Sequence, residues 1–144
     1  MKSDLEKAKE ILKACDNTCV LCKGETVYAS KERGVKPLIE FIDNKTDMKG
    51  FSAADRIAGT AAAMLYALLG VKAVYASVMS ESAAEMLDNH KIVREYGEMT
   101  AGIINREGNG ICPMEEAVLG ITDPGEGLRA IKEKIEHMRR MNKR

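Results

Sequence analysis

The sequence has no excess of either charge: Lys and Arg together number 22, and so do Asp and Glu. A balanced chain has no overall field to draw it onto nucleic acid or an anionic membrane, so neither is expected as a partner, and binding of either kind would need a local patch. A long hydrophobic run is also missing. The longest, from Ile57 to Val71, is broken by Gly59, Thr60 and Gly70 and is too short to cross a bilayer, so it reads as a buried helix. The first residues, Met1-Lys2-Ser3-Asp4-Leu5-Glu6-Lys7, are charged and helical in pattern where a signal peptide would be apolar and end in small residues. Cysteine is sparse as well, at Cys15, Cys19, Cys22 and Cys112, and with no export signal these thiols are expected to be reduced in a cytoplasmic protein.

What is present is a globular composition. Hydrophobic residues make up 45% of the chain and charged residues 31%, which excludes a disordered segment, and 144 residues suffice for one core without disulfide or metal staples. The division expected is a helical extension over residues 1–16 and one main domain over 17–144.

Leu5, Ala8, Ile11 and Leu12 recur at helical spacing, which predicts a first helix from Asp4 to Ala14. Thr18 to Cys22 and Thr26 to Ser30 are short β-prone runs joined by Lys23-Gly24-Glu25, the pattern of a hairpin. A short helix is expected after Gly34 and Pro37, ending at Asp43-Asn44. Ser52-Ala53-Ala54-Asp55 has the form of a capping box and predicts a long apolar helix from there to Leu69, closed by Gly70. Strand Lys72–Met79, helix Ser80–Leu87 and strand Lys91–Tyr96 imply a parallel crossover. Met99 to Ile104 fits strand or helix, with helix favoured. Asn105 to Gly110 is a loop, Pro113 opens a short helix, and Asp123-Pro124 starts the last one, striped by Leu128, Ile131, Ile135 and Met138.

Three segments carry a family resemblance: Ala53-Ala54-Asp55-Arg56-Ile57-Ala58-Gly59-Thr60-Ala61-Ala62-Ala63, Val78-Met79-Ser80-Glu81-Ser82-Ala83, and Asn105-Arg106-Glu107-Gly108-Asn109-Gly110-Ile111-Cys112-Pro113. Together they resemble the prokaryotic domain of unknown function family 1893, grouped with the cytidine deaminase-like superfamily. The resemblance implies an α/β fold: a three-layer α/β/α sandwich of cytidine deaminase-like type with a mixed sheet, to which the first helix is an addition. It implies no activity. Zinc deaminases hold their metal with a His or Cys two residues before a catalytic Glu and with a Pro-Cys-x-x-Cys turn. The corresponding segments here, Asp55-Arg56-Ile57 and Met79-Ser80-Glu81-Ser82-Ala83, contain neither set, so no zinc, no other cofactor and no zinc-dependent deamination are expected.

In that fold, helix starts near Ser52 and Ser80 would meet at one sheet edge, offering N–H groups to a small anion or nucleotide-like ligand. Asp55, Arg56, Ser80, Ser82, Asn105 and Arg106 are the candidate ligand-binding residues. Against this, Asp55 and Ser80 can be helix caps alone. A rival expectation is thiol chemistry or redox sensing at Cys112, which precedes Pro113 at a helix start, where a positive dipole end favours thiolate; the alternative is that Cys112 fills space beneath its loop. Cys15, Cys19 and Cys22 match the Cys-x3-Cys-x2-Cys spacing of a [4Fe-4S] site, yet Cys19 and Cys22 in one strand would point to opposite faces and serve as small buried hydrophobes. His90 and His137 fall in polar segments and are expected in solvent. Homo-oligomerisation through Met-rich helices is a third reading.

Overall fold

The computed structural model describes residues 2–105 and 107–142. Among the described residues are six helices and one five-stranded sheet of order β2-β1-β3-β4-β5. The first helix, α1 (Asp4–Ala14), is capped by Ser3, whose side chain accepts from Glu6 N–H. The hairpin β1 (Cys19–Lys23) and β2 (Thr26–Ser30) turns at Gly24, whose φ of 60° suits a residue without a side chain. After α2 (Lys36–Asp43) the chain enters β3 (Ser52–Ala58), antiparallel to β1 and parallel to β4 (Ala73–Ser80). The helices α3 (Thr60–Leu69) and α4 (Glu81–Asn89) make the crossovers from β3 to β4 and from β4 to β5 (Val93–Thr100), so the last three strands run parallel. The short α5 (Pro113–Ala117) and long α6 (Pro124–Asn142) complete the chain.

Helices cover both faces of the sheet. On one, α1 buries Ala8 and Leu12 against Val20, Cys22, Ala54 and Tyr75, and Lys9 extends its ammonium over the Tyr75 ring at 4.6 Å. On the other, α3 is the hub: α2, α4 and α6 all pack on it, and Met64, Leu65 and Tyr66 are wholly buried. Gly127 of α6 lies so close to Met64 that an added Cβ would collide with its sulfur.

Two expectations are corrected. The long helix from Ser52 is instead a strand, Gly59 and then α3. Ser52 to Ala58 lies between β1 and β4, which satisfy its backbone on both edges, and this overrides the local capping-box pattern. Ser52 is therefore no cap; its buried Oγ has no hydrogen-bond partner among the described residues. Met99 and Thr100 complete β5, and Ile104 forms an antiparallel bridge with Ile111, so that segment is extended, not helical. The C-cap at Gly70, left-handed with φ 76°, agrees with the sequence.

Candidate functional site

A cavity of about 400 Å³ opens at the carboxyl ends of the three parallel strands. Thr60 follows β3, Ser80 ends β4, and Ala101 to Ile103 follow β5, so topology alone delivers these residues to one edge, where open α/β sheets usually take their ligands. Ser82 and Glu85 of α4 and Glu115 of α5 add polar groups, while Met86, Val118 and Ile121 supply apolar wall. The volume falls in the range of small-molecule sites.

Helix starts do converge here, but both are occupied from within. The carboxylate of Glu115 accepts from Thr60 N–H at 2.7 Å and from Ala61 N–H at 2.8 Å, taking two of the orphan donors at the α3 terminus. A Cβ at Gly59 would collide with that carboxyl group, so a larger residue before the helix would push the Glu115 side chain off the helix start. On α4, Ser80 acts as the sequence suggested: its Oγ accepts from Ala83 N–H at 3.0 Å.

Asp55 does not reach the cavity edge. From the middle of β3 its carboxylate turns beneath α3, where Tyr66 donates to Oδ2 at 2.6 Å and Ile57 N–H to Oδ1 at 3.3 Å. The Cys19 sulfur lies 3.3 Å from the same Tyr66 hydroxyl, giving a buried Asp55–Tyr66–Cys19 chain. Burial raises the Asp55 carboxyl to about 6 although the Tyr66 and backbone hydrogen bonds pull it down. Burial, and next the neighbouring Asp55 charge, also raise the Cys19 thiol, and burial raises the Tyr66 phenol.

Arg56 is engaged elsewhere. Its guanidinium donates to the carbonyls of Asn17 at 2.6 Å and Cys15 at 3.2 Å, tying the end of α1 to β3. Asn105 spends its side chain inside its own loop, exchanging hydrogen bonds with Asn109. Arg106 lies outside the described residues. Ser80 and Ser82 are thus the candidates brought to the cavity. Cys112 occupies the N-cap position of α5 without a capping hydrogen bond from its side chain, half-buried, with its N–H bonded to Ile103 O at 3.0 Å. Cys15 is exposed, Cys19 faces α3 and Cys22 faces α1, so the three do not converge as a cluster site requires. No three metal-ligating side chains gather among the described residues. His90 and His137 are exposed.

Sequence reasoning missed Glu115, Thr60 and the Tyr66–Cys19 pair. One signal was available: Gly59, between a strand and an alanine-rich helix, is where another group can approach the backbone closely.

The fold is an α/β domain with a cavity at one sheet edge, and sequence comparison supplies its family. The profile described as TM1506, Domain of unknown function (DUF1893), matches residues 7–135, and the chain belongs to that family. The crystal structure of a DUF1893 family protein, TM1506 from Thermotoga maritima, is similar with a TM-score of 0.84 and 25% identity, over 93% of this chain and 92% of that one. No curated protein matches the chain. No helix among the described residues is long and apolar enough to cross a membrane.

Proposed function

We propose that this chain is a noncatalytic binding domain, a deaminase-like scaffold without zinc ligands that holds a nucleoside- or nucleotide-like small molecule in the cavity at the ends of β3, β4 and β5. The cavity carries the reading: about 400 Å³ of space lined by Thr60, Ser80 and Ser82, by the acidic residues Glu85 and Glu115, and by an apolar wall. Such a mixture suits a flat heterocycle with donors at its rim: the wall covers the ring, and the carboxylates accept from amino or hydroxyl groups. Deamination is not part of the proposal, because neither helix start at the cavity, Gly59-Thr60-Ala61 nor Ser80-Glu81-Ser82-Ala83, carries the His or Cys ligands that a zinc deaminase needs.

Thermal unfolding with a panel of nucleosides and nucleotides tests it. Ligand at a hundred times its dissociation constant adds about 2.7 kcal/mol, so at least one member should raise the melting temperature. Ser82 is exposed on the first turn of α4, and Ser82→Phe should fold normally, fill the cavity and abolish the shift. A flat response across the panel, or a shift that survives Ser82→Phe, contradicts the proposal.

A further inference from the structure

We infer that Glu115 sets the charge of the ligand: its carboxylate is a built-in occupant of the anion-binding end of α3, so the cavity takes an uncharged polar molecule in preference to its phosphorylated form. The inference rests on the cavity being a ligand site, as proposed above.

The geometry is that of an anion already bound. Each carboxylate oxygen of Glu115 takes its own backbone donor, Oε1 from Thr60 and Oε2 from Ala61. These are the groups a phosphate would seek at a helix start. Glu115 is only 9% exposed, so it is seated in the protein and does not swing in solvent. Gly59 leaves the space that the carboxyl group fills. Thr60 and Glu115 both line the cavity, so the occupied helix start adjoins it.

The rest of the wall acts in the same direction. Glu85 brings a second carboxylate, and among the described residues no Lys or Arg lines the cavity. The other helix start, at α4, has its Ala83 donor already bonded to Ser80 Oγ. An entering phosphate would therefore meet two like charges and find the α3 donors taken, whereas a neutral ligand with N–H or O–H groups finds acceptors.

The test compares wild type, Glu115→Ala and Glu115→Gln by thermal unfolding in inorganic phosphate, with chloride at equal ionic strength as control, and in nucleosides paired with their 5′-monophosphates. Wild type should prefer the nucleoside over its monophosphate and gain no more from phosphate than from chloride. Glu115→Ala frees Thr60 and Ala61 N–H beside the cavity and should gain a phosphate-dependent rise of several degrees. Should that variant fail to fold, Glu115→Gln keeps the length and one acceptor without the charge, and its preference for the nucleoside should fall about tenfold or more. A wild type that takes the monophosphate as readily as the nucleoside overturns the inference while leaving the binding function standing. So does a Glu115→Ala protein that folds and ignores phosphate, or an unchanged preference in Glu115→Gln. If no nucleoside or nucleotide binds wild type, yet Glu115→Ala gains phosphate, the proposed ligand class fails and the role of Glu115 is supported.

Discussion

Replacing Tyr66 with Phe should destabilise this protein far more at pH 8 than at pH 4. The hydroxyl removed donates to Asp55 Oδ2 at 2.6 Å and touches the Cys19 sulfur, in a region closed to water. In wild type, burial lifts the Asp55 carboxyl to about 6, against about 3.9 in an unfolded chain. Between those values the folded protein holds a proton that the unfolded chain has released. The group's favourable contribution is thus fully present below pH 4 and is lost as pH rises toward 6. Two units correspond to about 3 kcal/mol. Above pH 6 the buried carboxylate depends on its donors, and a hydrogen bond to a charged group contributes about 1.5 to 3 kcal/mol net, against about 0.5 to 1.5 for a neutral pair.

Tyr66→Phe should therefore cost roughly 1 kcal/mol at pH 4 and about 1 to 2 kcal/mol more at pH 8, and it should move the Asp55 titration further above 6. Urea unfolding at half-unit pH steps, on wild type, Tyr66→Phe, Asp55→Asn and the double variant, measures this directly. In the Asp55→Asn background the pH dependence of the Tyr66 effect should vanish. An equal loss at pH 4 and pH 8, or the same wild-type pH profile with and without Asp55, would refute the reasoning.

Gly59→Ala should destabilise by about 1 to 3 kcal/mol through overpacking against the Glu115 carboxyl group, and a double-mutant cycle with Glu115→Ala should show that most of this cost disappears when the carboxyl group is removed. Arg56→Ala should release the carbonyls of Asn17 and Cys15 and loosen α1, seen as faster amide exchange in α1 with a loss of about 1 to 2 kcal/mol. In native protein a limiting alkylating reagent should label Cys15 and Cys112 and spare Cys19 and Cys22, which lie buried on opposite faces of the sheet; peptide mapping that finds Cys19 or Cys22 labelled first would contradict that burial.

Elements whose cause is local could be read from the sequence. The hairpin around Gly24, the stop at Gly70, the start at Pro124 and the cap at Ser80 each follow from one residue's backbone or side-chain chemistry. β3 could not be read this way. Its Ser, Ala and Asp are poor strand formers and imitate a capping box, and what makes them a strand is pairing with Cys19–Cys22 on one edge and β4 on the other. That one misreading moved the helix start from Ser52 to Thr60, and with it Asp55 from the cavity edge to the Tyr66 network. Ser80 and Ser82 were the legible part of the candidate site for the same reason: they belong to a helix start with a local signature. Glu115 meets α3 only through the tertiary packing of α5, which no spacing rule reports.

The central claim, that the cavity at the ends of β3, β4 and β5 is the binding site, is most directly tested by titrating isotope-labelled protein with nucleosides and following its amide resonances. The account predicts saturable shifts concentrated at Thr60, Ser82, Gly102 and Ile121, which ring the cavity from four separate segments. Saturable shifts that cluster elsewhere on the molecule, or no shifts at any of these four positions with every nucleoside tried, would contradict it.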